Sequence, residues 1–271
     1  MSTSDSAERL TNAAYLTGRH AVVTGGSRGI GAAIAESLAA LGARVSLLAR
    51  THADANAVAQ DLRGRLNAEC TAIACDVSDA ISVETAFAEA HDTYGAPYVL
   101  VNNAGQAANA SFEETGLVMW DQMIAVNLTG TFLCTQEVLP AMRAARQGRI
   151  INIASTAGLK GYSHTAAYCA SKHGVIGMTR ALAIETAKGG ITVNAVCPGY
   201  TDTDMFQTAV QNLMRNLGRT EEEARAMLIR TTPRGTVTTP AEVAHAVAWL
   251  CAPDAGAITG QAIAVAGGEV M

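Results

Sequence analysis

A short apolar run, His20-Ala21-Val22-Val23-Thr24, leads straight into Gly25-Gly26-Ser27-Arg28-Gly29-Ile30-Gly31. The next ten residues, Ala32 to Leu41, repeat apolar side chains at helical spacing. A strand, a glycine turn and a helix in that order constrain the fold more than any other stretch of the sequence. Glycines let a backbone come close to a phosphate, and the start of a helix offers it unpaired N–H groups. The glycines stand at Gly25, Gly29 and Gly31, not at the Gly-x-Gly-x-x-Gly spacing of the commoner dinucleotide fingerprint. A tight turn without a ligand would use the same residues. The strand and helix on either side favour the phosphate site, with Ser27, Arg28 and Ile30 as its other backbone donors.

The rest of the chain alternates in the same way. Further strands are expected over 43–49, 71–75, 98–101, 149–154, 191–196 and 261–265. Helices are expected over about 52–67, 117–146 and 240–251, with another opening near Tyr168. Seven strands alternating with helices imply an α/β fold of the Rossmann type, a doubly wound parallel sheet with helices on both faces. We expect one domain over 17–271, preceded by a polar extension over 1–16. Segment 204–235 mixes Met205, Phe206, Leu213, Leu217 and Met227 with polar residues, and reads as a helical lid over a substrate. An ordinary pair of surface helices would share that pattern.

At the end of the second strand, a carboxylate would bind the ribose hydroxyls of NAD. Arg50-Thr51 stands there instead, and Arg28 lies in the glycine turn. Two guanidiniums suit a 2′-phosphate, so NADPH is expected over NADH. Asp76, beside Val77, could accept from an adenine amino group or cap the next helix, as Ser78 or Asp79 could. Asn103-Ala104-Gly105 would let the backbone pass close to a flat ligand, though a plain turn needs small residues too. Asn127 falls in the middle of the expected 117–146 helix, where a buried asparagine usually has a specific partner.

Tyr168 and Lys172 stand four residues apart on a helix, one above the other on one face. A fixed positive charge near a phenol favours the phenolate. Ser155, ending the run Ile150-Ile151-Asn152-Ile153-Ala154, could place a hydroxyl beside that phenol. The set suits proton transfer at a carbonyl oxygen, although a lone Tyr-x-x-x-Lys more often marks an exposed helix face.

Composition removes other readings. With a net charge of −5 there is no reason to expect nucleic-acid binding. No apolar run of about 18 residues points to a membrane span, and the start lacks the apolar core of a secretory signal. Six scattered cysteines without a Cys-x-x-Cys pair fit reduced thiols in a cytoplasmic protein, with no metal site.

Taken together, Thr24-Gly25-x-x-x-Gly29-x-Gly31, Asn102-Asn103-Ala104-Gly105, Asn127, Ser155, Tyr168-Cys169-Ala170-Ser171-Lys172 and Pro198-Gly199-x-x-x-Thr203 resemble the single-domain short-chain dehydrogenase/reductases. The resemblance runs from about residue 17 to the C-terminus. It implies an NADPH-linked oxidoreductase in which Tyr168 is the general acid for reduction. Lys172 would hold the nicotinamide ribose and lower the Tyr168 pKa, Ser155 would bond the substrate oxygen, and Asn127 would hold a relay water. By the same resemblance Asp76 and Val77 flank the adenine and Asn103 to Gly105 line the adenosine side. Pro198, Gly199, Thr201 and Thr203 meet the nicotinamide end. The family usually forms homotetramers. Ile153 to Gly158, Ser171 to Val175 and Asn194 to Gly199 are most similar to the 3-oxoacyl-thioester reductases, polyketide ketoreductases among them. That implies a ketone carried on CoA or a carrier protein, whose phosphates the lid arginines Arg215, Arg219, Arg225, Arg230 and Arg234 could meet, with Arg143, Arg146 and Arg149 as a second basic patch; solvated surface charge is the commoner reading of any one of them. A free cyclic, aromatic, sugar or steroid-like alcohol is the alternative substrate, and a non-catalytic nucleotide-binding scaffold a third reading.

Overall fold

A computed structural model describes residues 14–271, so most of the extension expected over 1–16 lies outside the described residues. The apolar runs form β1 (His20–Thr24), β2 (Arg44–Ala49), β3 (Cys70–Ala74), β4 (Val99–Asn102), β5 (Gly148–Ile153), β6 (Ile191–Pro198) and β7 (Ala262–Val265). All pair in parallel, in the order β3-β2-β1-β4-β5-β6-β7. Between them run α1 (Gly29–Ala40), α2 (His52–Leu66), α3 (Ala80–Tyr94), α4 (Leu117–Ile124), α5 (Gly130–Ala145) and α6 (Ala166–Thr186). After β6 come α7 (Asp204–Leu217), α8 (Glu221–Ile229) and α9 (Pro240–Cys251).

Both faces of the sheet are covered, which is why the strands read as nearly unbroken apolar runs. Val23, Val45, Leu47, Val99 and Ile151 pack under Ile34 and Leu38 of α1 and Val243 and Val247 of α9. Side chains one residue out of phase, Val22, Leu48, Leu100 and Ile150, meet Val83 and Phe87 of α3 and Val138 and Met142 of α5. Strand order reverses between β1 and β4, and in open parallel sheets the crevice beyond that switch, at the carboxyl ends of the strands, takes the ligand.

Three points bear on those expectations. The helix expected over 117–146 is broken by a π turn at Ala125–Thr129, centred on Asn127. By length and composition Leu117–Ala145 is apolar enough to cross a membrane, although Asp121, Gln122, Asn127, Gln136 and Glu137 keep it from being an unbroken apolar run. Here Cys134, Val138 and Met142 bury its inner side against the sheet, while Leu117, Val118 and Phe132 stay exposed. Third, Asp79 caps α3 through the N–H groups of Ile81 and Ser82, leaving Asp76 to accept from the Ser78 N–H and hydroxyl.

Segment 204–235 holds α7 and α8, which close on a small core of Phe206, Val210 and Ala224 with Tyr200 against it. Thr220 and Glu223 form a capping box at the start of α8, as Thr239 and Glu242 do for α9.

Candidate active site

The glycine turn ends β1 and starts α1. A Cβ on Gly31 would collide with the Gly25 carbonyl, so only glycine lets these segments touch. No side chain caps the N-terminus of α1, and its first N–H groups are left for a ligand. Asn103 braces the turn from β4: both its amide hydrogens are spent, on the carbonyls of Thr24 and Gly25, each at 3.0 Å. The Thr24 hydroxyl accepts from the N–H groups of Asn103 and Ala104, each at 3.0 Å. Asn103 and Ala104 therefore set the shape of the glycine turn from behind.

Arg50 and Thr51 are exposed where β2 runs into α2, with no carboxylate between strand and helix. The Asp76 carboxyl is held below its ordinary range, chiefly by the Ser78 hydroxyl and N–H, with the Arg50 charge adding to this. Arg50 and Asp76 thus lie within electrostatic reach of each other beyond the ends of β2 and β3. Val77 is buried, in contact with Gly130 of α5. Arg28 lies across the turn from Asp204 at 3.5 Å, both well exposed. Thr203 packs on Gly29, and its hydroxyl bonds the Thr201 carbonyl at 3.1 Å; the Thr201 hydroxyl bonds that of Gly199, also at 3.1 Å. Pro198 ends β6 beside Val265 of β7.

Asn127 is buried and its amide is committed. Its Nδ2 donates to the Gln106 carbonyl at 2.9 Å and to the Ser171 hydroxyl at 3.1 Å, while Oδ1 accepts from the Gln106 N–H at 2.9 Å. The Ser171 hydroxyl in turn donates to the Tyr168 carbonyl at 2.7 Å. A Cβ on Gly105 would stand 3.1 Å from Asn127 Oδ1 and 3.5 Å from Lys172 Nζ. The turn after β4, the π turn and α6 therefore meet at one point.

Lys172 is buried, and its Nζ donates to the Ile153 carbonyl at 2.8 Å. Burial lowers its pKa from 10.5 to about 8, because the charged form is poorly solvated there. Nζ lies 5.8 Å from the centre of the Tyr168 ring. The Tyr168 phenol is pushed above its ordinary range, first by burial; the Ser155 hydroxyl works against that rise by hydrogen bonding. The Lys172 charge does not bring the phenol below its ordinary value. Both groups are desolvated, the ammonium is turned to a backbone carbonyl, and burial prevails. Ser155 also accepts from the Ala157 N–H at 3.1 Å, which fixes it at the head of a short 3-10 turn.

The proposed basic patch does not form. Arg149 is buried, its guanidinium over the Tyr98 ring, while Arg143 pairs with Glu185 and Arg146 bonds the Lys188 carbonyl. In the lid, Arg219, Arg225 and Arg234 pair with Glu223, Glu221 and Glu242. Gln106 and Glu269 were not foreseen. Gln106 takes part through its main chain, which any residue possesses, and Glu269 lies in a tail without a motif. Among the described residues no cluster of His, Cys, Asp and Glu could hold a metal.

A family model for short chain dehydrogenases matches residues 19–214. The chain is 44% identical over 250 residues to the granaticin polyketide synthase putative ketoacyl reductase 1 of Streptomyces violaceoruber, covering 92% of each chain. It is 38% identical to the 3-oxoacyl-(acyl-carrier-protein) reductase of Aquifex aeolicus, covering 93% of this chain and 98% of that one. The crystal structure of an actinorhodin polyketide ketoreductase variant with NADPH superposes with a TM-score of 0.89 at 40% identity, over 93% of this chain and 97% of that one.

Proposed function

The chain belongs to the short-chain dehydrogenase family, and we propose that it reduces 3-oxoacyl thioesters, carried on coenzyme A or a carrier protein, with NADPH. It is an oxidoreductase that reduces a ketone to a secondary alcohol. One observation carries the reading: Ser155, Tyr168, Lys172 and Asn127 converge beside the Asn103-Ala104-Gly105 turn at the carboxyl end of the sheet.

The residues present fit a phosphorylated dinucleotide. The turn from Gly25 to Gly31 offers uncapped N–H groups to a diphosphate. Exposed Arg50, without a neighbouring acid at the end of β2, suits a 2′-phosphate, and Asp76 with the Asn103-Ala104-Gly105 turn frames the adenosine. Lys172 would hold the nicotinamide ribose, and Pro198, Gly199, Thr201 and Thr203 its ring side. When bound, NADPH supplies the hydride that forms the new C–H bond, and is itself oxidised to NADP⁺.

The chain's own groups handle the oxygen. Ser155 donates a hydrogen bond to the carbonyl oxygen, and Tyr168 gives it a proton as charge builds there. The high phenol pKa keeps that proton in place until it is needed. Lys172 stabilises the phenolate left behind, and its own pKa of about 8 lets it pass a proton onward. Because the Asn127 amide is spent on Gln106 and Ser171, a relay water would bond the Asn127 carbonyl, which already accepts from Thr131.

Exposed Leu117, Val118 and Phe132 on α4 and α5, with Ile184 on α6, support assembly as a homotetramer through those helices. Six unpaired thiols support a cytoplasmic location. A second reading, a free cyclic or aromatic ketone as substrate, is favoured by the pairing of Arg219, Arg225 and Arg234 with glutamates, which leaves fewer cations for a phosphopantetheine arm.

The test is Tyr168→Phe. It should bind NADPH as the wild type does and lose about 10³-fold or more of kcat. Substantial residual turnover would remove Tyr168 from its role.

A further inference from the structure

Glu269 lies in the tail after β7, and its side chain is only 1% exposed. A carboxylate that deep is costly unless donors surround it. Three reach Oε1: the Tyr162 phenol at 2.6 Å, the Thr231 hydroxyl at 3.3 Å and the Lys160 ammonium at 3.3 Å. Among the described residues Oε2 has no hydrogen-bond partner; it points at Gly199, whose Cβ, if it had one, would stand 3.0 Å away.

The donors come from two separate walls of the site. Lys160 and Tyr162 belong to the loop joining Ser155 to Tyr168. The Tyr162 oxygen also bonds the Thr156 hydroxyl at 2.8 Å, one residue from Ser155, and Lys160 Nζ lies 4.9 Å from the centre of the Tyr162 ring. Burial, and then the bond to Glu269, push the Tyr162 phenol well above its ordinary range, so it stays a donor. Thr231 belongs to the lid where it returns to the sheet. That root is fastened to the tail again by the Arg234 N–H on the Gly267 carbonyl at 3.0 Å. Gly267 has φ +58°, and a Cβ there would press on Arg234 and Thr232.

We propose that Glu269 is a positioning residue that joins the root of the lid to the loop carrying Ser155. Ser155 then reaches its working place only while the lid root is seated on the tail. This rests on the roles given above to Ser155 and to the lid. A buried acceptor shared by both walls is what such a joint needs, since a shift of either wall must break or strain a bond to the same oxygen.

The test compares wild type, Glu269→Ala and Glu269→Gln. Amide hydrogen exchange should rise together over 156–163 and 230–235 in Glu269→Ala. Its kcat with acetoacetyl-CoA should fall about tenfold to a hundredfold, with NADPH affinity kept within about twofold. Glu269→Gln keeps an oxygen for Tyr162 and Thr231 and should restore both readouts to within about threefold of wild type. Should Glu269→Ala not fold, Tyr162→Phe and Thr231→Val each remove one arm, and their losses in kcat/KM should be non-additive. Exchange rising on one wall alone, unchanged kcat in Glu269→Ala, or additive losses would overturn the proposal. If the wild type turns over no thioester, the functional reading fails, and the joint is then judged on exchange alone.

Discussion

Asn127 clasps the main chain of Gln106 from both sides, accepting from its N–H and donating to its carbonyl, each at 2.9 Å. The two residues are 21 positions apart, and the clasp holds the turn after β4 against the helix that carries Tyr168 and Lys172. A regular α-helix is interrupted at this point by a π turn, and such turns are common where a side chain has been recruited for function.

Asn127→Ala should therefore do more than remove a side chain. It leaves the Gln106 N–H and carbonyl without protein partners, at about 1–3 kcal/mol for each group that stays buried. Urea unfolding should show a loss of about 2–4 kcal/mol, and the Gln106 amide should exchange faster. A loss under about 0.5 kcal/mol with unchanged exchange would mean the clasp is not holding that turn.

Lys172 should oppose stability where it serves chemistry. Its folded pKa of about 8 lies below the ordinary 10.5, so below pH 8 it is charged in both states and the burial cost is fully present. As pH rises from about 8 to 10.5 the folded state loses its proton first, and the cost disappears. That cost is about 3 kcal/mol, offset in part by the bond to the Ile153 carbonyl. Lys172→Met, without cofactor, should be about 1–2 kcal/mol more stable than wild type at pH 7 and lose this advantage by pH 10. A less stable variant at pH 7 would contradict the burial argument.

Arg50 should set the choice of dinucleotide. Arg50→Asp replaces a phosphate ligand with an acceptor for ribose hydroxyls, and the ratio of kcat/KM for NADPH over NADH should fall at least about tenfold. Arg28, already facing Asp204 across the turn, should matter less, about threefold for Arg28→Ala. Equal ratios in wild type and Arg50→Asp would show that the 2′-phosphate is read elsewhere.

What could be read from the sequence was local. The glycine turn and the Tyr168–Lys172 spacing rest on short-range periodicity, and alternating apolar runs gave all seven strands to within one or two residues. A partner for Asn127 was expected, but neither Gln106 nor the π turn, because the partner lies across a loop and bonds through its main chain. Burial was harder still. Spacing places Lys172 beside Tyr168 but says nothing of how dry the site is, and dryness decides the direction of both pKa shifts. Arg149 shows the same gap: a charge in a surface cluster on paper is, as part of β5, buried against Tyr98.

The most direct test follows nicotinamide absorbance with acetoacetyl-CoA as substrate, NADPH and NADH in parallel, and a free cyclic ketone such as cyclohexanone beside it. The account predicts rapid oxidation of NADPH by the thioester, much slower oxidation of NADH, and little turnover of the free ketone. Turnover of the free ketone alone, or of the thioester with NADH in preference to NADPH, would contradict it.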